Sequence, residues 1–265
     1  MTAAAPRGAS PLDRVNPVSR LAGALLLSFP LFVSLDWVSA TSVIVLEILA
    51  WLVLNRRDLG RNARSLAKRA LPFLIAAPFA ALSLALYGDP AGRVYFTWGL
   101  IQVSEQSLSY AAAVAARVVA LGMAVLVTLS RVDPTEMADG LAQVWHLPVR
   151  LVLGTLAALR LVGALRTDWK TMELARRGRG LGDHRPIRRF ASLAFALLVG
   201  AIRRGSTLAT AMEARGFGPG PRTWARPSKL GWPDLWFFLV VTAIISLGLL
   251  AAVVTGHFRW IGGVS

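Results

Sequence analysis

Two short stretches of the chain place an arginine before a glycine at what reads as the end of a helix. The first is Met172–Gly178 and the second is Thr210–Gly218. A guanidinium offers a rigid fork of donors that matches a carboxylate. Two such forks at a fixed separation would fit two acidic grooves on a pair of related partner subunits. The duplication therefore favours a recognition role for both stretches.

The competing interpretation is that these residues only cap the two helices, and the residue types by themselves leave this interpretation open. Glycine just beyond a helix is a common C-terminal cap, and arginine in the last turn complements the helix dipole. Glu173 and Arg177 are also spaced for an i,i+4 ion pair worth a few tenths of a kcal/mol. The candidate residues at the two ends are Ala175, Arg176, Arg177, Gly178, Ala214, Arg215 and Gly216.

The sequence offers no residues for a disulfide, a metal site, a phosphate-binding loop or a catalytic nucleophile. The chain has no cysteine, which excludes disulfides, thiolate metal sites and cysteine nucleophiles. Its three histidines, His146, His184 and His257, are too far apart in sequence to predict a metal cluster. No Gly-Lys pair occurs, so no Walker A loop can cradle a phosphate. We predict no catalytic site, no metal and no cofactor.

The composition indicates a polytopic membrane protein. Hydrophobic residues make up 55% of the 265-residue chain and charged residues only 16%, against about 45–50% and 25% in soluble domains. A net charge of +15 would suggest nucleic acid in a soluble protein. Here the basic residues cluster between apolar runs, which is typical of cytoplasmic loops beside anionic lipid headgroups. We therefore predict a lipid bilayer and no nucleic acid as partner.

The apolar runs predict about five transmembrane helices, at residues 21–35, 42–54, 70–87, 108–129 and 235–255. A cleaved signal peptide ending at Val38-Ser39-Ala40 is the rival interpretation of the first run, but the apolar pattern resumes at Ser42. The stretch 55–69 is strongly basic and is predicted to be a cytoplasmic loop. The N-terminus of this multi-pass plasma-membrane protein is then cytoplasmic.

Two charged residues fall inside predicted spans. Glu47 and Arg117 are costly in a bilayer and should face the interior of the helix bundle. Glu47 fits an interhelical hydrogen bond. Arg117 either pairs internally, with Glu47 or Glu105, or extends its side chain to the membrane surface.

The stretch between the fourth and fifth spans is rich in arginine and predicts two long helices, 148–177 and 186–215, each about 45 Å long. Small residues such as Gly154 and Gly205 would let their backbones approach closely. We interpret them as a crossed pair at the inner membrane surface, with two true spans as the alternative. The fold class is all-α, with an N-terminal bundle at 1–130, a coupling-helix domain at 131–231 and a C-terminal span at 232–265.

With these motifs in place, nearly the whole chain resembles the transmembrane T component of energy-coupling factor transporters, the family that includes the cobalt-transport permease subunits. Ala214-Arg215-Gly216 matches the family motif literally. The first motif carries an extra arginine, so its role is carried over to Arg177, with Arg176 and the Arg179-Gly180 register as alternatives. The further matching elements are Asp13–Leu21, Arg117, Asp133-Pro134, Gly140-Leu141, Leu147-Pro148, Leu159-Arg160-Leu161 and Arg222-Thr223.

The resemblance implies a non-catalytic permease subunit. Its two helix ends would dock into two ABC-type ATPase subunits, which hydrolyse ATP. The long helices would pass the motion to a separate small membrane subunit that binds a vitamin or a transition-metal ion. The alternative function is a self-contained secondary transporter or channel, which would need paired intramembrane charges and inverted repeats.

Overall fold

The computed structural model describes residues 11–34, 36–56, 59–88, 93–98, 101–130, 132–180, 186–217, 224 and 226–256. A short 3₁₀ helix, Pro11–Arg14, comes first. The α-helices are α1 Pro17–Val33, α2 Trp37–Leu54, α3 Leu59–Tyr87, α4 Glu105–Leu129, α5 Pro134–Gln143, α6 Val149–Gly178, α7 Pro186–Ala214 and α8 Trp232–Val254. Strands β1 Val94–Trp98 and β2 Ile101–Ser104 pair antiparallel as a hairpin between α3 and α4.

The chain divides into two compact units. Met1–Asp133 and Lys229–Ser265 form the first, here called the bundle unit, and Pro134–Ser228 forms the second, the helix-pair unit. The C-terminal helix α8, which the sequence set apart as its own segment, thus belongs with the N-terminal helices. A tie between the starts of α1 and α8, described below, explains this grouping.

The prediction of an all-α polytopic membrane protein is confirmed. Among the described residues, five helices are long and apolar enough to cross a membrane: Trp37–Leu54, Asn62–Tyr87, Glu105–Leu129, Ile187–Ala214 and Trp232–Val254. This set of five helices differs from the predicted set of spans in two places. Helix α1 has only 17 residues, and α7, expected at the membrane surface, meets the length and composition of a span.

The core of the bundle unit lies between α1, α2, α4 and α8, while α3 packs along α4. Two glycines allow close helix contacts. A Cβ atom on Gly23 would lie 2.4 Å from Cε1 of Phe237, and one on Gly122 would lie 2.4 Å from Cγ of Phe73. Around this core, large apolar side chains such as Phe29 and Phe79 are exposed. An apolar exterior of this kind is expected where lipid replaces water as the solvent.

The starts of α1 and α8 are tied together by buried hydrogen bonds. The Asn16 side chain caps α1 by accepting from the Val18 amide. The Asn16 amide donates to Oδ1 of Asp234 at 2.8 Å, and the Gly231 amide donates to Oδ2 at 2.6 Å. Asp234 is only 5% exposed. One carboxylate therefore fixes the first turns of two helices that lie far apart in sequence.

Helix α3 begins earlier than the sequence predicted. The stretch 55–69 was expected to be a loop, yet α3 starts at Leu59 and carries exposed Arg64, Lys68 and Arg69 on its first turns. Alanine, leucine, arginine and lysine are good helix formers, and no proline interrupts them before Pro72. The turn expected at 88–92 lies outside the described residues apart from Gly88. The exposed Tyr95 and Phe96 lie on β1.

Candidate functional site at two arginine–glycine helix ends

Helices α6 and α7 run in opposite directions alongside each other. At one end of the pair, the last turns of α6 contact the first turns of α7. Glu173 accepts from Arg189 at 2.5 Å, and Arg176 donates to the Ser192 hydroxyl at 2.6 Å. The rings of Trp169 and Phe190 lie 5.5 Å apart between centroids.

At the other end of the pair, the last residues of α7 and the first turns of α6 line one cavity of about 800 Å³. Its lining residues are Arg150, Gly154, Ala209, Met212, Glu213, Gly216 and Phe217. The end of each helix therefore lies beside the start of the other. At 1.5 Å per residue, the two arginine–glycine ends are separated by about 40 Å along the pair.

The end of α7 is a complete Schellman cap. Gly216 takes a left-handed conformation, with φ of +75°. The Phe217 amide donates to the Met212 carbonyl at 2.9 Å, and the Gly216 amide donates to the Glu213 carbonyl at 2.9 Å. Ala214 is the last residue of α7, so Arg215 is the C-cap residue. Its side chain is exposed at the position where the helix ends and the chain turns away.

The end of α6 lies two residues later than the motif Ala175-Arg176-Arg177-Gly178 predicted. Gly178 is still helical, and the left-handed glycine is Gly180, with φ of +73°. The Gly180 amide donates to the Arg177 carbonyl at 3.0 Å, as Gly216 does to Glu213. Arg179 is the C-cap residue. The pair Arg179-Gly180 thus occupies the position that Arg215-Gly216 occupies on α7.

The arginines at these ends differ in what holds their side chains. Arg177 pairs with Glu173 at 3.0 Å, which confirms the predicted i,i+4 pair, and Arg176 is held by Ser192. Arg179 and Arg215 are both exposed, and neither makes a side-chain hydrogen bond or ion pair within the part of the chain that the structure describes. Two guanidinium groups, one at each end of the helix pair, are therefore available to a partner.

The expectation that small residues bring α6 and α7 into close contact is wrong. A Cβ atom on Gly154, Gly163, Gly200 or Gly205 would meet nothing within 4 Å. Long side chains, and not these glycines, make the contacts between the two helices. Besides the contacts near Glu173, Arg204 forms an ion pair with Asp168. The roles of Arg189, Asp168 and Arg204 were not predicted from the sequence, although their charges offered a signal.

The two intramembrane charges are both placed inside the bundle unit. Glu47 is 1% exposed, and neither carboxylate oxygen has a hydrogen-bond partner in the described residues. Arg117 donates from its guanidinium to the Ser34 carbonyl, in the turn between α1 and α2. The structure therefore does not join Glu47 and Arg117 by a hydrogen bond. Among the described residues, no group of side chains is suited to hold a metal ion.

Comparison with known proteins identifies the family. The model of the cobalt transport protein family CbiQ matches residues 8–224, which is most of the chain. This chain belongs to the cobalt transport protein family. Several relatives named energy-coupling factor transporter transmembrane protein EcfT align with it over more than 90% of their own length. The protein from Brevibacillus brevis is 30% identical over 269 residues, covering 95% of each chain.

Two further EcfT proteins show the same coverage. The one from Listeria innocua is 26% identical over 279 residues, covering 96% of this chain and 95% of its own. The one from Lactococcus lactis is 28% identical over 257 residues, covering 92% and 93%. The family match at residues 8–224 therefore includes both arginine–glycine ends.

Proposed function

We propose that this chain is the membrane-embedded coupling subunit of an ATP-driven energy-coupling factor importer for vitamins or transition-metal ions. Two ABC-type ATPase subunits dock at the two arginine–glycine helix ends and hydrolyse ATP. Helices α6 and α7 transmit their motion to a separate small membrane subunit that binds the substrate. This chain performs no catalysis of its own.

The arrangement of α6 and α7 carries the proposal. Each helix ends in a left-handed glycine preceded by an exposed arginine, and the two ends lie at opposite ends of the pair. A spacing of about 40 Å suits two separate protein partners better than one small ligand. A guanidinium at a helix end can enter an acidic groove and bind a carboxylate through two parallel hydrogen bonds.

The orientation in the plasma membrane follows from the distribution of charge. Arg56, Arg64, Lys68 and Arg69 surround the start of α3, and cytoplasmic segments carry such an excess of lysine and arginine. We propose that the start of α3 lies in the cytoplasm and that the N-terminus lies there as well, with α1 and α2 each crossing the membrane. The arginine-rich helix-pair unit has the same preference, and the cytoplasm is where ATP and the ATPases are found.

Charge reversal of Arg215, whose motif matches the family motif literally, tests the proposal. The complex is purified in mild detergent with tagged Arg215→Glu, and the retained ATPase subunits are quantified. We expect the binding of the ATPase subunit at this end to weaken at least about 30-fold, because removing one partner of a docked charge pair costs 2–5 kcal/mol or more. Arg203→Glu is the matched control, since Arg203 is an exposed arginine on the same helix. Normal retention of both ATPases by Arg215→Glu would refute the proposal.

The small substrate-binding subunit is tested in the same purification. A coupling subunit should yield two ATPases and one small hydrophobic protein. A homodimer of this chain without ATPases would instead support the secondary transporter or channel. The completely buried Glu47 is the one observation that favours this second function, because intramembrane carboxylates commonly mark ion pathways.

A further inference from the structure

We infer that a polar cavity at one end of the bundle unit binds the phosphate group of an anionic phospholipid, held by Arg20 and Arg69. The cavity has a volume of about 70 Å³, whereas one buried water needs only about 10–15 Å³. It therefore has room for a tetrahedral anion. The inference does not depend on the proposed function, because it concerns the bundle unit and not the arginine–glycine ends.

The cavity lies at the level where membrane spans meet the lipid headgroups. Its lining comes from the first turns of α1 and α3 and from the last turns of α2 and α4. Three of these helices, α2, α3 and α4, are candidate membrane spans that begin or end beside the cavity. Trp51 also lines it, and tryptophan is enriched at membrane interfaces. The phosphates of the bilayer surface are therefore within reach of the cavity.

Side-chain charge makes the cavity cationic. Arg20 and Arg69 line it, and among the described lining residues Asp13 is the one acid, which leaves one net positive charge. Oδ1 of Asp13 lies 3.8 Å from Nη2 of Arg20, beyond the roughly 2.7–3.2 Å of a direct hydrogen bond. The helix ends add little, because the positive N-terminal ends of α1 and α3 offset the negative C-terminal ends of α2 and α4. The arginines therefore decide the sign of the site.

Arg20 forms the inner side of the site. It is only 5% exposed, and its Nε donates to the Val15 carbonyl at 3.2 Å, which fixes the orientation of the guanidinium. A buried charge is stable only where hydrogen bonds and counter-charges compensate it. The carboxylate of Asp13 is one-third exposed to solvent, so solvent screens part of its charge. A phosphate in the cavity would add a counter-charge beside the buried guanidinium.

Arg69 forms the outer side of the site. It is exposed on α3, and its Nη1 donates to the Ser130 carbonyl at 3.0 Å, at the end of α4. This bond holds the guanidinium at the cavity and engages one of its several N–H donors. Between α2 and α3, Nδ2 of Asn62 donates to Oδ1 of Asn55 at 3.1 Å, which fixes a polar wall. Arginine binds phosphate oxygens through parallel hydrogen bonds, so the two guanidinium groups suit this ligand.

The surroundings of the cavity favour a phospholipid over a free anion. Leu52 and Leu71, close in sequence to lining residues, are large apolar side chains exposed on α2 and α3, where they can contact the acyl chains of the same lipid. Arg64 and Lys68 are exposed on α3 outside the cavity lining. Basic residues near a membrane surface attract anionic headgroups. In the orientation proposed above, the lipid belongs to the cytoplasmic leaflet, which is rich in such headgroups.

The test measures lipid binding to the purified full-length chain. The chain is freed of lipid in a nonionic detergent and titrated with phosphatidylglycerol at about 0.15 M salt, and bound lipid is counted by native mass spectrometry. We expect one saturable site that Arg69→Gln weakens at least about tenfold, because a charged hydrogen bond is lost. Arg64→Gln is the matched control on the same helix and should weaken binding less than about twofold, since its charge is exposed and screened.

Two further variants separate the cavity from the general positive charge. Ser65 lines the cavity at an exposed position, so Ser65→Trp fills its mouth without changing any charge and should weaken binding at least about tenfold. Arg20→Gln removes the buried cation and should do the same. Thermal unfolding checks that Arg20→Gln folds. If it does not, Arg69→Gln and Ser65→Trp decide the test, because both change exposed positions.

Inorganic phosphate distinguishes the two sources of the phosphate group. It is titrated against the same variants, and we expect it to displace phosphatidylglycerol only weakly because it lacks acyl chains. Binding of inorganic phosphate that depends on Arg69, without such binding of phosphatidylglycerol, would overturn the lipid as the ligand. Equal binding of phosphatidylglycerol by the unmodified chain, Arg69→Gln and Ser65→Trp would overturn the site itself. The ATPase subunits take no part in this measurement, so neither result decides the proposed function.

Discussion

The bundle unit and the helix-pair unit differ in the kind of contact that stabilises each of them internally. In the bundle unit, Asp234 is buried and Gly23 and Gly122 lie against aromatic rings. In the helix-pair unit, the ion pairs of Glu173 and Asp168 are partly exposed and the glycines of α6 and α7 face open space. The bundle unit is therefore fixed by packing and buried hydrogen bonds. The contacts that join α6 and α7 are instead few and partly exposed.

The largest effect is expected from Asp234→Ala in the bundle unit. The carboxylate accepts from the Asn16 and Gly231 amides, and each hydrogen bond to a charged group is worth about 1.5–3 kcal/mol. We expect a loss of about 3 kcal/mol or more in the free energy of unfolding, measured by tryptophan fluorescence in detergent. Glu105→Ala, at an exposed acid of α4, is the control, and an equal loss in both variants would contradict the tie between α1 and α8.

Glycine-to-alanine changes are expected to give the second-largest difference between the two units. In Gly122→Ala, the new methyl group would lie 2.4 Å from the Phe73 ring, and overpacking of this kind costs about 1–3 kcal/mol. Gly154→Ala adds a methyl group with nothing within 4 Å, so we expect a gain of about 0.5–1 kcal/mol from the better helix former. Thermal unfolding of the two variants measures both. A loss of stability in Gly154→Ala would show that α6 is packed more tightly than the structure indicates.

The end of α6 provides a smaller and more local comparison. Gly180 has a φ of +73°, and an alanine there is strained by about 1 kcal/mol. Gly178 is helical, so Gly178→Ala should stabilise α6 by up to about 1 kcal/mol. Circular dichroism and thermal unfolding test the difference. If Gly178→Ala is the destabilising change, α6 ends at Gly178 and the equivalence of Arg179 with Arg215 fails.

The smallest effect is expected from Glu173→Gln. This change removes the ion pairs with Arg177 and Arg189, and partly exposed pairs of this kind are worth about 1 kcal/mol or less. The loss should largely disappear at about 1 M salt, where the Debye length is about 3 Å. The loss in Asp234→Ala should persist at that ionic strength because the group is buried. Salt-independent destabilisation by Glu173→Gln would mean that the cluster is shielded from solvent.

The sequence was sufficient for the features that depend on neighbouring residues. Apolar runs predicted spans that the structure confirms as candidate membrane helices in α2, α3, α4 and α8. The Glu173–Arg177 pair was also predictable, because both residues lie on one face of one helix. Local rules decide all of these features.

The features that depend on distant residues could not be predicted in this way. Gly178 and Gly180 both follow an arginine, so the local pattern allows α6 to end at either glycine, and in the structure it is Gly180 that takes the left-handed conformation. Arg117 binds a backbone carbonyl, which every residue offers, so no side-chain pattern could identify Ser34 as its partner. The hairpin β1–β2 is too short for its alternation to stand out.

The hydrogen bond between Asn16 and Asp234 also limits when the bundle unit can finish folding during synthesis. The two residues are 218 positions apart, and at about 5–20 residues per second a ribosome needs on the order of 10–40 s to synthesise the chain between them. During that time α1 is already made, yet the Asn16 amide lacks its carboxylate partner. The bundle unit therefore closes only after the whole helix-pair unit has been synthesised, and a nascent chain truncated before α8 leaves the start of α1 without this contact.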